Sequence, residues 1–189
     1  MNHSFVMVEI TIVKTEDDLR KILVLEAQNL TKNISEAVQK DQGFVTFQYS
    51  YQQMKAMADV APQIIAKDGD EVVGYALTTL PSLGEAIPMF APMFALLQKL
   101  SWNNTPVYDY QFYAMGQICV ADGYRGQGIF DAMYGKHREI LSENYDLCIT
   151  EIATRNARSI RAHERVGFKT IHTYEDSADI WNVVVWDWK

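Results

Sequence analysis

The chain has 189 residues, of which 48% are hydrophobic, 12% are aromatic and 22% are charged. A chain of this length can bury about 70% of its unfolded surface, and the composition is that of a globular protein rather than a disordered one. We therefore expect one domain over residues 1–189. The formal net charge of −7 excludes general nucleic-acid binding, since such binding depends on neutralising phosphates. A local basic site for one small anion stays compatible with it.

Cysteine use and hydropathy indicate the cellular setting. Cys119 and Cys148 each lie in an apolar run, as buried and reduced thiols do. The N-terminus has no basic start followed by an apolar run, so we expect no signal peptide. The longest apolar stretch, 86–100, contains two prolines and is too short to span a bilayer. The expected setting is cytoplasmic, without a membrane partner.

Periodicity predicts strands that alternate with helices. Thr15 and Asp18 have the spacing of a capping box ahead of an apolar helical stripe that includes Leu19 and Ile22. An Asp-Gly turn at 68–70 predicts a hairpin. Strands are predicted at 8–14, 63–67, 71–79, 113–120, 147–153, 169–174 and 180–188, and helices from 15, after 50, at 129–141 and at 157–166. This alternation favours an α/β layer built on βαβ units.

Residues 80–112 form an apolar connection far longer than the usual few residues. We expect structure within it, with a helix in its second half. Its apolar side chains favour a bound molecule with a hydrophobic portion, but they suit core packing or a homodimer interface equally well.

The most informative stretch follows the strand at 113–120, where three glycines within six residues precede a helix. Unpaired amides and the helix dipole attract anions at a helix start, and glycines let phosphate oxygens approach the backbone. Arg125 adds a guanidinium group suited to phosphate. The pattern predicts a pyrophosphate site, the alternative being glycines that serve only the turn. Neither the Walker loop nor the dinucleotide fingerprint is matched.

Two motifs resemble those of the GNAT superfamily of acetyltransferases. The run Tyr124-Arg125-Gly126-Gln127-Gly128-Ile129 is similar to a common form of the family's loop. Downstream, Asn156, Ser159 and the run His-Glu-Arg-Val-Gly-Phe at 163–168 resemble the family pattern Asn-x-x-Ala/Ser-x-x-x-Tyr-Glu-Lys-x-Gly-Phe. The chain departs from these patterns at Gly123, at Phe130 and at His163, which stands in place of the usual tyrosine.

The resemblance implies a fold and a cofactor. The fold would be α/β (α+β), with a mixed central sheet of about six to seven strands that is flanked by helices and splayed between two parallel strands. The cofactor would be acetyl-CoA, with no metal. The implied cofactor-binding residues are Ile118, Cys119, Val120, Arg125, Gly126, Gln127, Gly128, Ile129, Phe130, Asn156 and Ser159.

The implied reaction is direct attack by a primary amine of a small molecule or peptide on the thioester, with a main-chain amide near Val120 as oxyanion donor. His163 is a candidate acid for the leaving thiolate or, alternatively, a packed residue. Glu151 is a candidate base or, alternatively, a salt-bridge partner of nearby arginines. Tyr113 is a further catalytic candidate. Cys119 is a poor candidate nucleophile because no histidine partner is recognisable.

A second class of function remains open from the sequence. The chain could be a catalytically weak acyl-CoA-binding module that senses the cofactor or regulates a partner. The histidine at position 163 keeps this alternative open. Turnover with an amine would distinguish the enzyme from such a module.

Overall fold

The computed structural model describes residues 8–189, apart from the side chains of residues 40–42. The helices are α1 (Glu16–Asn29), α2 (Glu36–Gln42), α3 (Tyr51–Val60), α4 (Ala91–Leu97), α5 (Ile129–Leu141) and α6 (Ala157–Val166). The strands are β1 (Glu9–Ile12), β2 (Ile64–Asp68), β3 (Glu71–Thr79), β4 (Ser101–Trp102), β5 (Thr105–Pro106), β6 (Phe112–Val120), β7 (Leu147–Ala153), β8 (Lys169–Glu175) and β9 (Ile180–Asp187).

Within the described residues, seven strands form one mixed sheet in the order β1-β2-β3-β6-β7-β9-β8, with β4 and β5 forming a separate small hairpin. The pairing of β6 with β7 is parallel, and the other neighbours in the large sheet are antiparallel. Helices α1, α3 and α4 contribute to the hydrophobic core on one face, and α5 contributes to the core on the other. The predicted mixed α/β sheet is therefore confirmed.

Local signals position the helices around this sheet. The capping box predicted at Thr15 is present, since its side chain accepts a hydrogen bond from the Asp18 amide and Asp18 accepts one from the Thr15 amide. Ser50 and Gln53 form a second capping box at the start of α3. Such caps satisfy amides that have no partner inside the helix.

The connection at 80–112 has structure, although its helix lies earlier than predicted. α4 begins at Ala91 and ends at Leu97, and a hairpin follows whose turn residues Asn103 and Asn104 have positive φ. Two asparagines that adopt this conformation favour a turn over helix continuation. Helix α2 was not predicted. Within residues 8–189, every helix is too short or too polar to cross a lipid bilayer.

The sheet opens between its two parallel strands. In the described chain, β6 and β7 are paired from Phe112 with Leu147 to Ala114 with Ile149, and that pairing does not extend to the ends of the strands. The β3–β6 register also shifts close to Gly116. A Cβ at Gly116 would lie 2.7 Å from Thr79 Oγ1 and 2.8 Å from Tyr49 Oη, so a side chain cannot be accommodated there. The opening has the location that the resemblance implied.

Candidate active site

A cavity of about 630 Å³ lies where β6 ends and where α5 and α6 begin. Gly128 is the N-cap of α5 with φ +79°, and Gly126 has φ +76°. Residues with side chains rarely adopt this backbone conformation. An ideal Cβ on either glycine has no heavy atom within 4 Å, so the space above both glycines is open towards a ligand. The loop therefore fits a pyrophosphate bound by helix amides.

Most of the residues predicted from sequence to bind the cofactor line this cavity. They are Ile118, Cys119, Val120, Arg125, Gly126, Gly128, Ile129, Phe130, Asn156 and Ser159. Gln127 is exposed, and its side-chain amide donates to the Gly123 carbonyl, which stabilises the turn. Burial raises the pKa of the Cys119 thiol to about 12, so it stays protonated at neutral pH.

Arg125 lines the cavity and also links the loop to other parts of the chain. Its Nε donates to the Val120 carbonyl at 2.9 Å, and one terminal nitrogen donates to Asn29 Oδ1 at 2.6 Å. Asn29 is the last residue of α1, and its own amide nitrogen donates to the Leu25 carbonyl. The guanidinium group thus ties the phosphate loop to α1, a contact that the sequence did not predict.

Asn156 connects the cavity to a second segment, 43–49. Its Oδ1 accepts from the Ser159 amide and caps α6, while its Nδ2 donates to the Phe44 carbonyl at 3.3 Å. The segment is also held at Phe47, whose carbonyl accepts from Gln117, and at Tyr49, whose amide donates to the buried Glu26. Burial raises the pKa of Glu26 to about 7.

A second cavity of about 380 Å³ adjoins the first on the side of the segment 43–49. The two cavities share several lining residues at the opening of the sheet, namely Phe44, Val45, Ile118, Asn156 and Ser159. We call this second cavity the acceptor groove. Its remaining walls come from the connection at 80–112, from β7 and from the hairpin of β8 and β9. The apolar wall includes Met89, Phe90, Pro92 and Met93.

Glu151 lies in the acceptor groove, late in β7. Its Oε1 accepts a hydrogen bond of 2.9 Å from the Tyr174 hydroxyl on β8. Burial raises the pKa of Glu151 to about 7, with the Tyr174 bond lowering it and the charge of Asp176 raising it further. A carboxyl group with this pKa is partly ionised and partly protonated at neutral pH, which suits proton exchange.

His163 lies at the inner end of the groove and is only 2% exposed. Its Nδ1 lies 2.8 Å from the Ser159 carbonyl, which accepts from a ring N–H, and its Nε2 then accepts from the Tyr134 hydroxyl at 2.7 Å. The ring packs edge-on against Phe130 and Phe168. Burial lowers the pKa of His163 to about 4, so the ring is neutral at pH 7.

Tyr113 lies apart from Glu151. It belongs to the hydrophobic core on the α5 face of the sheet, and it is not among the described residues that line either cavity. Its hydroxyl lies 3.1 Å from Nδ1 of His137, whose Nε2 donates to the Ala76 carbonyl. The structure therefore brings Glu151 and His163 to one groove and leaves Tyr113 within the core.

Three features of the site were missed by the sequence analysis. Asn29 and Tyr174 contact predicted residues from elements far away in the chain, and no local sequence pattern marks either contact. The arginines of α6 also line the cofactor cavity. The sequence pattern indicates these arginines only as ion-pair partners of Glu151. Among the described side chains, no group of His, Cys, Asp or Glu is placed to hold a metal ion.

Several solved structures share this fold. The NatC complex bound to Gag peptide and CoA is 13% identical, with a TM-score of 0.65 and coverage of 96% of this chain and 99% of that one. The ribosomal-protein-S18-alanine N-acetyltransferase from Escherichia coli is 15% identical, with a TM-score of 0.59 and coverage of 96% and 94%. The acetyltransferase yncA from Salmonella typhimurium, described as putative and solved with acetyl-CoA, is 13% identical, with a TM-score of 0.63 and coverage of 97% and 95%.

No curated protein matches the chain. The Acetyltransferase (GNAT) family, in contrast, matches residues 27–168, which include both the phosphate loop and α6. This match confirms the resemblance and the acetyl-CoA prediction. The chain therefore belongs to the GNAT family of acetyltransferases, which use acetyl-CoA.

Proposed function

We propose that the protein transfers the acetyl group of acetyl-CoA to a primary amine of a small molecule or peptide. One observation carries the proposal: the cavity with the phosphate loop and the groove with Glu151 meet at the opening between β6 and β7. A ligand seated on the loop at Gly126 and Gly128 can extend into this opening. An amine in the groove then approaches it from the Glu151 side.

Acetyl-CoA, when bound, supplies an acetyl thioester, which an unprotonated amine can attack. Glu151 is the proposed base, because its carboxyl has a pKa of about 7 and lies in the groove where the amine would enter. The Tyr174 hydroxyl fixes the carboxylate by donating to Oε1. A base with a pKa near the operating pH combines a useful ionised fraction with useful proton affinity.

The backbone of β6 is the proposed source of oxyanion stabilisation. Past Ala114, among the described residues, this strand faces the opening without pairing to β7. Amide donors near Val120 are fixed by the pairing of β6 with β3 on its other side. Donors held in place need no reorganisation as negative charge develops.

For His163 we propose the packing role, since both ring nitrogens are engaged and the pKa of about 4 keeps the ring neutral. For Tyr113 we propose a role in the core, with its hydroxyl beside His137.

The groove favours an acceptor whose amine is attached to an apolar group. Met89, Phe90 and Met93 form one wall, and Glu151 and Asp176 supply negative charge that attracts an ammonium group. Apolar walls with a few placed polar groups are typical of small-ligand sites. Two of the similar structures are the NatC complex bound to Gag peptide and CoA and the ribosomal-protein-S18-alanine N-acetyltransferase, which supports a peptide amine as one candidate. Both cysteines are free thiols, which agrees with a cytoplasmic setting.

The test is release of free thiol from acetyl-CoA with a panel of amines. The panel pairs arylalkylamines and peptides that begin with Met, Leu or Phe with polar diamines and peptides that begin with Ser or Asp. We expect turnover with the apolar members at the lowest KM. Tight acetyl-CoA binding without turnover by any amine would instead support the sensor module.

A further inference from the structure

The cofactor cavity is strongly basic within an acidic protein. The chain has 24 acidic and 17 basic residues. Nevertheless, four of its seven arginines line this cavity, namely Arg125, Arg158, Arg161 and Arg165. Among the described lining residues, the acidic member is Asp131. This concentration of one sign of charge is unexpected from the overall balance, and it indicates an anionic ligand.

Three of these arginines belong to α6. Residues 158, 161 and 165 are spaced by three and four positions, so their side chains share one face of the helix. From residue 158 to residue 165, which is seven steps along the helix, the helix rises about 10 Å. The stripe is therefore long enough to contact more than one anionic group.

The stripe extends to the phosphate end of the cavity. Arg165 forms a two-point ion pair with Asp131, through nitrogen–oxygen distances of 2.6 and 3.1 Å. Asp131 lies in the first turn of α5, next to the phosphate loop. Arg161 precedes Arg165 by about one helical turn and lines the same cavity. The outer face of α6 thus lies alongside the start of α5.

The helix amides and the arginine stripe are suited to different phosphate groups of the ligand. Backbone amides at the start of α5 already fit the pyrophosphate, and the Arg125 side chain donates hydrogen bonds to the Val120 carbonyl and to Asn29. CoA carries one further phosphate, a monoester on the 3′ position of its ribose. A phosphate monoester has about −1.5 to −2 charges at neutral pH and accepts bidentate bonds from guanidinium groups.

We propose that Arg158 and Arg161 bind the 3′-phosphate of CoA, with Arg165 fixing the end of the stripe through Asp131. The site selects CoA over 3′-dephospho-CoA. This inference concerns the cofactor alone and does not depend on which amine is acetylated.

Calorimetry with CoA and with 3′-dephospho-CoA tests the assignment directly. We expect the wild type to bind CoA about tenfold or more tightly than dephospho-CoA, the scale of charge-assisted hydrogen bonds. In the double variant Arg158→Gln/Arg161→Gln, that preference should fall to within about twofold, with dephospho-CoA affinity unchanged. Arg20→Gln, on the exposed surface of α1, is the matched control and should keep the wild-type preference.

Equal binding of the two ligands by the wild type would overturn the proposal without any variant. A double variant that retains the preference would overturn it as well. Retained dephospho-CoA affinity also shows that the variant is folded, and the single variant Arg161→Gln serves if the double variant does not fold. As a second measurement, the phosphorus resonance of the 3′-phosphate should shift on binding to the wild type and should shift less on binding to Arg161→Gln.

Discussion

The two cavities are built in different ways. The cofactor cavity depends mainly on backbone: the amides at the start of α5, two glycines with positive φ, and the edge of β6 that faces the opening. The acceptor groove depends on side chains from four separate regions, which supply Phe47, Phe90, Glu151 and Tyr174. A backbone site tolerates variation of most side chains, whereas a side-chain site changes with each substitution. One fold can therefore keep its cofactor while its acceptor varies.

The largest expected effect comes from the acceptor groove. Glu151→Gln removes the proposed base and keeps the size of the side chain, so turnover should fall by about 10²–10³-fold. The affinity for acetyl-CoA should stay within about twofold, because Glu151 does not line the cofactor cavity. Pre-steady-state thiol release and calorimetry measure the two quantities separately. Turnover within threefold of the wild type would remove Glu151 from the mechanism.

The pH profile sharpens this test. The base must be ionised, so activity should rise with pH through the Glu151 pKa of about 7. Because the Tyr174 hydroxyl lowers that pKa, Tyr174→Phe should move the acid limb to higher pH and leave the plateau close to wild type. Glu151→Gln should lack the limb.

The next largest effect concerns the backbone of the cofactor cavity. Gly128→Val places a branched side chain at φ +79°, where phosphate oxygens would approach the amides. We expect a loss of about 10²-fold in acetyl-CoA affinity from steric exclusion and backbone strain. Gly69→Val is the matched control, since Gly69 has φ +58° and an equally open Cβ position but does not line the cavity. Its affinity for acetyl-CoA should stay near wild type; an equal loss in both variants would show that strain alone is responsible.

The same contrast explains what the sequence could predict. The phosphate loop and α6 are contiguous motifs whose residue types follow from backbone geometry, so most of the residues predicted to bind the cofactor line the cavity, whereas the Gln127 side chain bonds to the Gly123 carbonyl. The contacts of Asn29 with Arg125 and of Tyr174 with Glu151 join residues 96 and 23 positions apart. No local pattern encodes such pairs. The position of α4 was missed for a related reason, since an apolar run indicates burial without marking where a helix ends.

A smaller effect is expected along the apolar wall of the groove. Phe90 and Phe94 are each 5% exposed, but only Phe90 lines the groove among the described residues. Phe90→Leu should change the ratio of kcat/KM values for aromatic and aliphatic amines by about tenfold, the scale of a changed apolar contact. Phe94→Leu should lower the free energy of unfolding by about as much as Phe90→Leu does, on the order of 1 kcal/mol, and should leave the selectivity unchanged. Identical selectivity in all three proteins would show that this wall packs the core and does not contact the acceptor.

The smallest effect on turnover is expected at His163, where the chain departs from its family. His163→Phe keeps the aromatic contacts with Phe130 and Phe168, but it leaves the Tyr134 hydroxyl without its acceptor. Turnover should stay within about fivefold, with an unchanged pH profile, because a ring whose pKa is about 4 is already neutral. Unfolding free energy should fall by about 1–3 kcal/mol, the usual cost of an unsatisfied buried polar group. Tyr134→Phe, which removes the other partner, should rescue part of that loss in the double variant.

The pH dependence of stability gives His163 an independent signature. The pKa of His163 lies near 4 in the folded protein, against 6.5 for the ordinary side chain. Between these two pH values the side chain therefore binds a proton in the unfolded chain but not in the folded protein. The contribution of His163 to the free energy of unfolding of the wild type is therefore complete above about pH 6.5 and is lost as the pH falls towards 4. The free energy of unfolding of His163→Phe should fall less steeply across that window. If His163 instead donates a proton to the leaving thiolate, wild-type turnover should fall as His163 deprotonates. His163→Phe should then lose that fall, and its turnover should drop by about 10²-fold or more. Measuring both profiles on the same two proteins separates the packed residue from the acid.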